Sequence, residues 1–243
     1  MTIRLFHVSD LHFGCADEAA LAWFAEAVAA ERPDAVAVTG DLTMRARPSE
    51  FEAAARWLEA LAIPLTIEPG NHDLPWNPVA RLLRPYRRFR RLERHLERPI
   101  DLPGLWLVPL KTTARAQLRR NWSWGVVSRR SLDAALAMLR SKPAGAVAVI
   151  AAHHPLIDRT DIRSQGRTLN GREALAQVAA AGADAVLSGH VHDPFDAEIV
   201  ADGNPIRVIG AGTLSHRTRA TRPSFNQLTI ADGAIETRVR VMD

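Results

Sequence analysis

The chain has 243 residues, 47% of them hydrophobic, enough to bury one large core, while its longest apolar stretch, around Ala144 to Ala152, falls far below the roughly 20 residues that a membrane span needs. A single cysteine, Cys15, excludes an intramolecular disulfide and reads as a small buried filler. The net charge of +4 is local: residues 81–98 hold eight Arg against Glu93 and Glu97, putting +6 there and −2 on the rest, so this is not a uniformly cationic nucleic-acid binder.

The chain opens into a β-like run, Ile3 to Val8, without the basic and apolar regions of a signal peptide, and the expected location is cytoplasmic. Asp10-Leu11-His12 follows, then an Ala-rich helix from Glu18 to Ala30 with Leu21, Phe24 and Val28 on one face. A second strand, Ala35 to Val38, runs into Gly40-Asp41, and Pro48-Ser49-Glu50 opens a helix to Leu61. The strand Pro64 to Ile67 leads to Gly70-Asn71-His72-Asp73. The segment Arg81 to Arg98 then reads as one amphipathic helix, with Leu82, Tyr86, Phe89 and Leu96 on its apolar face and Arg on the other. That face is either a solvated exterior or a contact for an anionic membrane surface or polyanionic substrate.

Helical patterns recur at Ser131 to Leu139 and Arg172 to Ala180. The strand Ala146 to Ala151 ends in His153-His154-Pro155, and Ala183 to Leu187 ends in Gly189-His190-Val191-His192. From 193 to 243 the texture changes to short strands split by Asp202-Gly203 and Asp232-Gly233, an antiparallel meander expected to complete the second of two sheets. Apolar strands alternating with helices predict an α/β fold, two packed mixed sheets with helices outside as a four-layer α/β/β/α sandwich, in a single domain over 1–243.

Five short motifs thus end strands in residues that favour metals. In open α/β sheets the ligand site lies beyond the carboxyl ends of such strands. Residues i and i+2 on extended backbone point the same way, so Asp10 and His12 are expected to converge, as are His190 and His192. Mixed carboxylate, amide and imidazole donors suit two divalent cations held close together. Any one motif has a plain alternative, such as Asp10 or Asp41 capping a helix; all five together do not.

The series Asp10-Leu11-His12, Gly40-Asp41, Gly70-Asn71-His72-Asp73, His153-His154-Pro155 and Gly189-His190-Val191-His192 resembles the calcineurin-like metallophosphoesterase superfamily, most of all the class with bacterial cyclic-nucleotide and glycerophosphodiester phosphodiesterases. The resemblance implies one metal held by Asp10, His12, Asp41 and His192, and another held by Asp41, Asn71, His153 and His190. It places His72 beside the substrate as acid or phosphate partner, and makes His153 rather than His154 the ligand. Asp73 orients His72 or caps a loop. His7 is a strand histidine without a role.

The activity implied is hydrolysis of a phosphodiester, a cyclic nucleotide or small diester, through a hydroxide shared by two Mn, Fe or Zn ions. Alternatives are a phospholipid or nucleotide-sugar lipid substrate, a DNA end, or a non-catalytic scaffold, which the complete ligand set disfavours. Arg45, Arg159, Arg163, Arg217 and Arg219 are candidates to bind phosphate. Leu110-Lys111-Thr112-Thr113 departs from the class pattern and suggests a different substrate pocket.

Overall fold

The computed structural model describes residues 2–97, 100–115, 121, 123–158 and 168–243. The first half runs β1 (Ile3–Val8), α1 (Glu18–Glu31), β2 (Ala35–Val38), α2 (Pro48–Ala60), β3 (Leu65–Ile67), α3 (Pro78–Leu83) and α4 (Arg87–Leu96). The second runs β4 (Leu105–Pro109), β5 (Gly125–Val126), α5 (Arg129–Arg140), β6 (Val147–Ala151), β7 (Thr168–Leu169), α6 (Gly171–Ala180) and β8 (Ala185–Ser188). Four strands close the chain: β9 (Phe195–Ala201), β10 (Asn204–Gly210), β11 (Ser224–Ala231) and β12 (Ala234–Val241).

Two five-stranded mixed sheets result, in the orders β12-β11-β1-β2-β3 and β4-β6-β8-β10-β9. Their central strands are buried on both faces, which is why they read as near-continuous apolar runs. Alternation divides each strand between two cores. From β1 and β2, Leu5, Ala35 and Ala37 meet Val149, Leu187, Ile209 and Leu228 between the sheets. Phe6, Val8, Val36 and Val38 point outward onto Phe24, Phe51, Leu58 and Phe89 of α1, α2 and α4. On the far side Ala148, Ile150 and Val186 pack under Leu132, Leu139, Leu175 and Val178 of α5 and α6. These are the four α/β/β/α layers expected from the sequence.

Two expectations need correction. The C-terminal strands are not one meander completing the second sheet. The β9–β10 hairpin adds to that sheet beside β8, whereas β11 pairs antiparallel with β1 and carries β12 onto the first sheet. Asp202-Gly203 and Asp232-Gly233 each close a hairpin, with both Asp and Gly at positive φ. The stretch 211–223 between them is long enough to cross from one sheet to the other. It lets Phe225 join the outer core of the first sheet and Leu228 the layer between the sheets.

The Arg-rich segment is not one helix either. Pro85 disfavours helical backbone at the residue before it, and Arg84 takes φ −142°, ψ 56°, ending α3 before α4 begins. The register shifts at the break. Phe89, Leu92 and Leu96 of α4 pack into the first core, while Leu82 and Leu83 of α3 face solvent and Arg81 is buried. Arg98 lies outside the described residues. Among the described residues no helix is long and apolar enough to cross a membrane.

Leu228 is fully buried in the layer joining the two sheets. Leu228→Ala is expected to cost about 2–5 kcal/mol of folding stability, as other buried Leu truncations do. Urea unfolding checks this, and an unchanged midpoint would show that the sheets are not held together there.

Candidate metal centre

Each expected ligand lies just past the carboxyl end of a strand: Asp10 and His12 after β1, Asp41 after β2, Asn71 after β3, His153 after β6, and His190 and His192 after β8. Strand alternation is not what brings them together. Asp10 (φ 56°), His12 (47°), Asp41 (52°), His190 (70°) and His192 (62°) are all left-handed. Inter-loop backbone bonds fix this geometry, with the Asp10 amide donating to Gly40 O at 3.0 Å and the His12 amide to Asp41 O at 2.9 Å. Two glycines make room. A Cβ on Gly70 would stand 2.0 Å from Asp41 Oδ1, and one on Gly189 would stand 1.8 Å from Ser9 Oγ and 2.5 Å from Asp10 Oδ2.

The side chains converge in two groups sharing Asp41. In the first, Nε2 of His12 and Nε2 of His192 are 3.2 Å apart, and Asp10 Oδ1 lies 3.0 Å from the latter and 3.6 Å from the former. Asp41 Oδ2 is 3.8 Å from His12 Nε2 and 3.5 Å from His153 Nε2, so one carboxylate faces both groups. In the second, Asn71 Oδ1 is 3.2 Å from His153 Nε2, and the His190 ring lies 5.2 Å from that of His153. Ligand atoms of His153, His154 and His190 fall within 4.8 Å of one another. The seven expected ligands are thus in one place.

Protonation follows from the far side of each ring. His153 Nδ1 donates to Thr39 O at 2.8 Å, His192 Nδ1 to Arg217 O at 2.6 Å and His72 Nδ1 to Met44 O at 2.7 Å. A carbonyl only accepts, so each of these rings carries its proton on Nδ1 and turns a lone pair on Nε2 inward. Asp10 Oδ1 is buried facing the His192 and His12 rings and receives no backbone N–H among the described residues. A buried set of lone pairs facing each other without donors fits divalent cations.

The electrostatics agree. Burial opposes ionisation of Asp10 and Asp41, but the imidazoles outweigh it, His192 foremost for Asp10 and His153 for Asp41, and both carboxyls ionise below the usual range. Burial, helped by His153, lowers His190 to about 3, keeping it neutral as a donor ligand needs. For His192 burial is outweighed by the Asp10 carboxylate, which raises the pKa.

His72 lies at the edge of the site, its ring 4.9 Å from that of His12, and burial lowers its pKa. Of the two roles expected for Asp73, the pairing with His72 does not form, because the Met44 carbonyl takes the ring proton. Asp73 caps the loops instead. Its carboxylate accepts from the amides of Leu42, Thr43 and Gly70 at 3.2, 2.9 and 2.9 Å and from Thr43 Oγ1 at 2.9 Å. Burial and the Asp41 charge push it up to about 7.

His154 is buried behind His190, its ring 4.5 Å away, between Thr112 Oγ1 and Ser123 O, both at 2.9 Å. His7 is buried between the sheets, 2.9 Å from Thr39 Oγ1 and 3.2 Å from Asn226 Nδ2. Cys15 is partly exposed rather than buried.

A cavity of about 350 Å³ opens over the ligands, lined among others by Asn71, His72, His190, Arg217 and Arg219. Asn121 and Ser123 also line it, and no motif in the sequence pointed to them. The carbonyls of Thr39, Met44 and Arg217 were equally silent, because any residue type supplies one. Arg45 stacks 5.8 Å over the Trp76 ring, away from this cavity's lining. Arg159 and Arg163 lie outside the described residues.

A family model described as calcineurin-like phosphoesterase matches residues 3–194. The chain is 39% identical over 80 residues to glycerophosphodiester phosphodiesterase GpdQ of Enterobacter lignolyticus (strain SCF1), a match spanning 28% of this chain and 29% of that protein's length. Among solved structures, a dimetal phosphatase from Danio rerio is similar with a TM-score of 0.66 at 12% identity, covering 99% of each chain. Purple acid phosphatase PPD1 from yellow lupin seeds (Lupinus luteus) is similar with a TM-score of 0.64 at 15% identity, covering all of this chain and 53% of that one. At such identities these two show the fold: the two packed sheets described above.

Because protonation of His192, made easier by the Asp10 carboxylate, competes with a cation for Nε2, divalent metal binding is expected to weaken as pH falls and to release protons there. Calorimetric titration with Mn²⁺ in buffers of different ionisation enthalpy reads the release. An affinity flat between about pH 5 and pH 8 would contradict the ligand assignment.

Proposed function

The chain belongs to the calcineurin-like phosphoesterase family, whose members are metal-dependent phosphoester hydrolases, and on that premise we propose that it hydrolyses small phosphodiesters at a dinuclear centre. The observation that carries this is the convergence of two buried carboxylates, Asp10 and Asp41, with inward-facing imidazole lone pairs beneath a cavity lined by Arg217 and Arg219. Asp10, His12, Asp41 and His192 would hold one ion, and Asp41, Asn71, His153 and His190 would hold the other. Mn, Fe and Zn all suit this donor set. When bound, such ions supply Lewis acidity and an activated water.

The protein's own groups do the rest. The amide of His190 donates to Asp10 Oδ2 and that of His72 to Asp41 Oδ1, both at 2.8 Å, so each carboxylate keeps its other oxygen for a cation. His72 has its Nδ1 proton fixed on Met44, so only Nε2 exchanges a proton with the substrate. Burial lowers its pKa, so the neutral ring is the main form and, once Nε2 is protonated, it gives that proton up readily to a leaving oxygen. The preference for diesters is supported by the similarity to a glycerophosphodiester phosphodiesterase over 80 residues.

His72→Ala is expected to retain both metals and lose turnover on the order of 10²-fold, as for loss of a proton-transfer group. Metal loss in step with activity would make His72 a ligand instead. The Mn-loaded protein is expected to cleave bis-p-nitrophenyl phosphate faster than p-nitrophenyl phosphate; the reverse order would make it a monoesterase.

One observation favours a second reading, a lipid-borne substrate. Trp76, Val79, Leu82 and Leu83 are 65%, 65%, 54% and 69% exposed around α3, and the exposed Arg84, Arg87 and Arg91 flank them. Apolar side chains among cations fit an anionic membrane surface. Vesicles rich in anionic phospholipid are expected to sediment with the protein at low salt, and less so with Trp76→Ser/Leu83→Glu. Absence of binding by the unaltered protein would remove this reading.

A further inference from the structure

We propose that Arg217 contacts the substrate directly, its guanidinium binding a non-bridging oxygen of the phosphoryl group that undergoes transfer. The proposal rests on the phosphoesterase reading above.

The backbone of this residue is pinned over the site. Arg217 lies in the crossing between β10 and β11. Before it, Thr213 Oγ1 donates to Asp10 O at 2.6 Å and receives the Ser215 amide at 3.1 Å. After it, the amides of Ala220 and Thr221 donate to Asp193 Oδ1 at 2.9 and 3.0 Å. The Arg217 carbonyl takes the His192 Nδ1 proton. One residue therefore fixes a metal-ligating imidazole with its main chain and is aimed by that same bond.

The side chain reaches into the cavity. Its Nη1 lies 3.1 Å from His72 Nε2, 3.3 Å from His12 Nε2 and 3.8 Å from Met44 Sδ. None of the three neighbours is a carboxylate. Among the described residues no carboxylate lies within ion-pair distance of it, unlike Arg207, paired with Asp196, or Arg240, paired with Glu31. A metal on His12 Nε2 takes one of those acceptors away and leaves the guanidinium facing the cavity. A phosphoryl oxygen replaces what is lost, and the planar donor fork suits it better than an ammonium would. The contact also neutralises charge that develops on the equatorial oxygens in phosphoryl transfer.

The test uses Mn-loaded full-length protein, with inorganic phosphate as the probe. Arg217→Ala is expected to keep its two metals by elemental analysis, because the carbonyl on His192 remains. It is expected to bind phosphate at least about tenfold more weakly by calorimetry, and to lose kcat/KM for the diester on the order of 10²-fold, the usual effect of removing one transition-state donor. Free guanidinium should restore part of the lost rate, a rescue that a merely structural role would not show. Should Arg217→Ala fail to fold, Arg217→Lys keeps charge and bulk and is expected to show weakened phosphate binding without metal loss. Unchanged phosphate binding in either folded variant, or a loss that tracks metal content, overturns the proposal. If the unaltered protein cleaves no phosphoester yet Arg217→Ala still weakens phosphate binding, the functional reading fails while the contact stands. If the unaltered protein is active and the variants match it, the contact alone fails.

Discussion

Two carboxylates, Asp10 and Asp41, are buried among imidazole nitrogens that offer lone pairs and no protons, and nearly every other feature near the site answers to that. A carboxylate taken out of water costs several kcal/mol unless charge or hydrogen bonds meet it. Each of the two accepts one backbone N–H, from His190 and from His72, and each keeps an oxygen facing the ligand cluster. The carbonyls of Thr39 and Arg217 hold ring protons away from the centre, so that oxygens and nitrogens converge with nothing between them. A shell of acceptors in that state calls for cations, and the surrounding bonds hold it in the geometry that cations use.

Keeping it so requires backbone that few sequences tolerate. Five of the seven expected ligands sit at positive φ, a conformation costing of order 1–3 kcal/mol for a residue with a side chain. The strain is carried by strands whose neighbours cannot move. β1, β2, β6 and β8 are buried on both faces, and His7, Thr39 and Asn226 lace β1 and the end of β2 to β10 and β11. Asp73 performs the same service on the outer side, gathering amides from the loops after β2 and β3. Burial and the nearby Asp41 charge raise its pKa, a cost of placing a loop cap beside an expected ligand.

The two halves of the chain contribute unequally to what surrounds the metals. The first sheet supplies Asp10, His12, Asp41, Asn71 and the adjacent His72; the second supplies His153, His190 and His192. The crossing segment after β10 roofs the centre and brings Arg217 and Arg219 to the cavity wall. Further out, Pro85 splits the Arg-rich segment, so that α4 packs into the core while α3 turns apolar side chains to solvent. Cationic groups thus occur in two distinct settings: lining the cavity over the candidate metal centre, and on the outer helices.

The five motifs, the strands before them and the layering were determined by the sequence itself. Burial on both faces leaves near-continuous apolar strands, and metal chemistry restricts donors to a few residue types, so both leave marks that can be read one residue at a time. What only the tertiary structure decided has no such mark. The sheet joined by Phe225 and Leu228 depends on where the crossing segment lands. The partner of the His72 ring is a carbonyl of Met44, not the adjacent Asp73, because hydrogen bonding to the main chain is indifferent to side-chain type. Asp10 and His12 converge through left-handed backbone bonded to the next loop rather than through strand alternation. That conformation is imposed by contacts 30 residues away in sequence, as between the Asp10 amide and Gly40 O, and no local propensity encodes it.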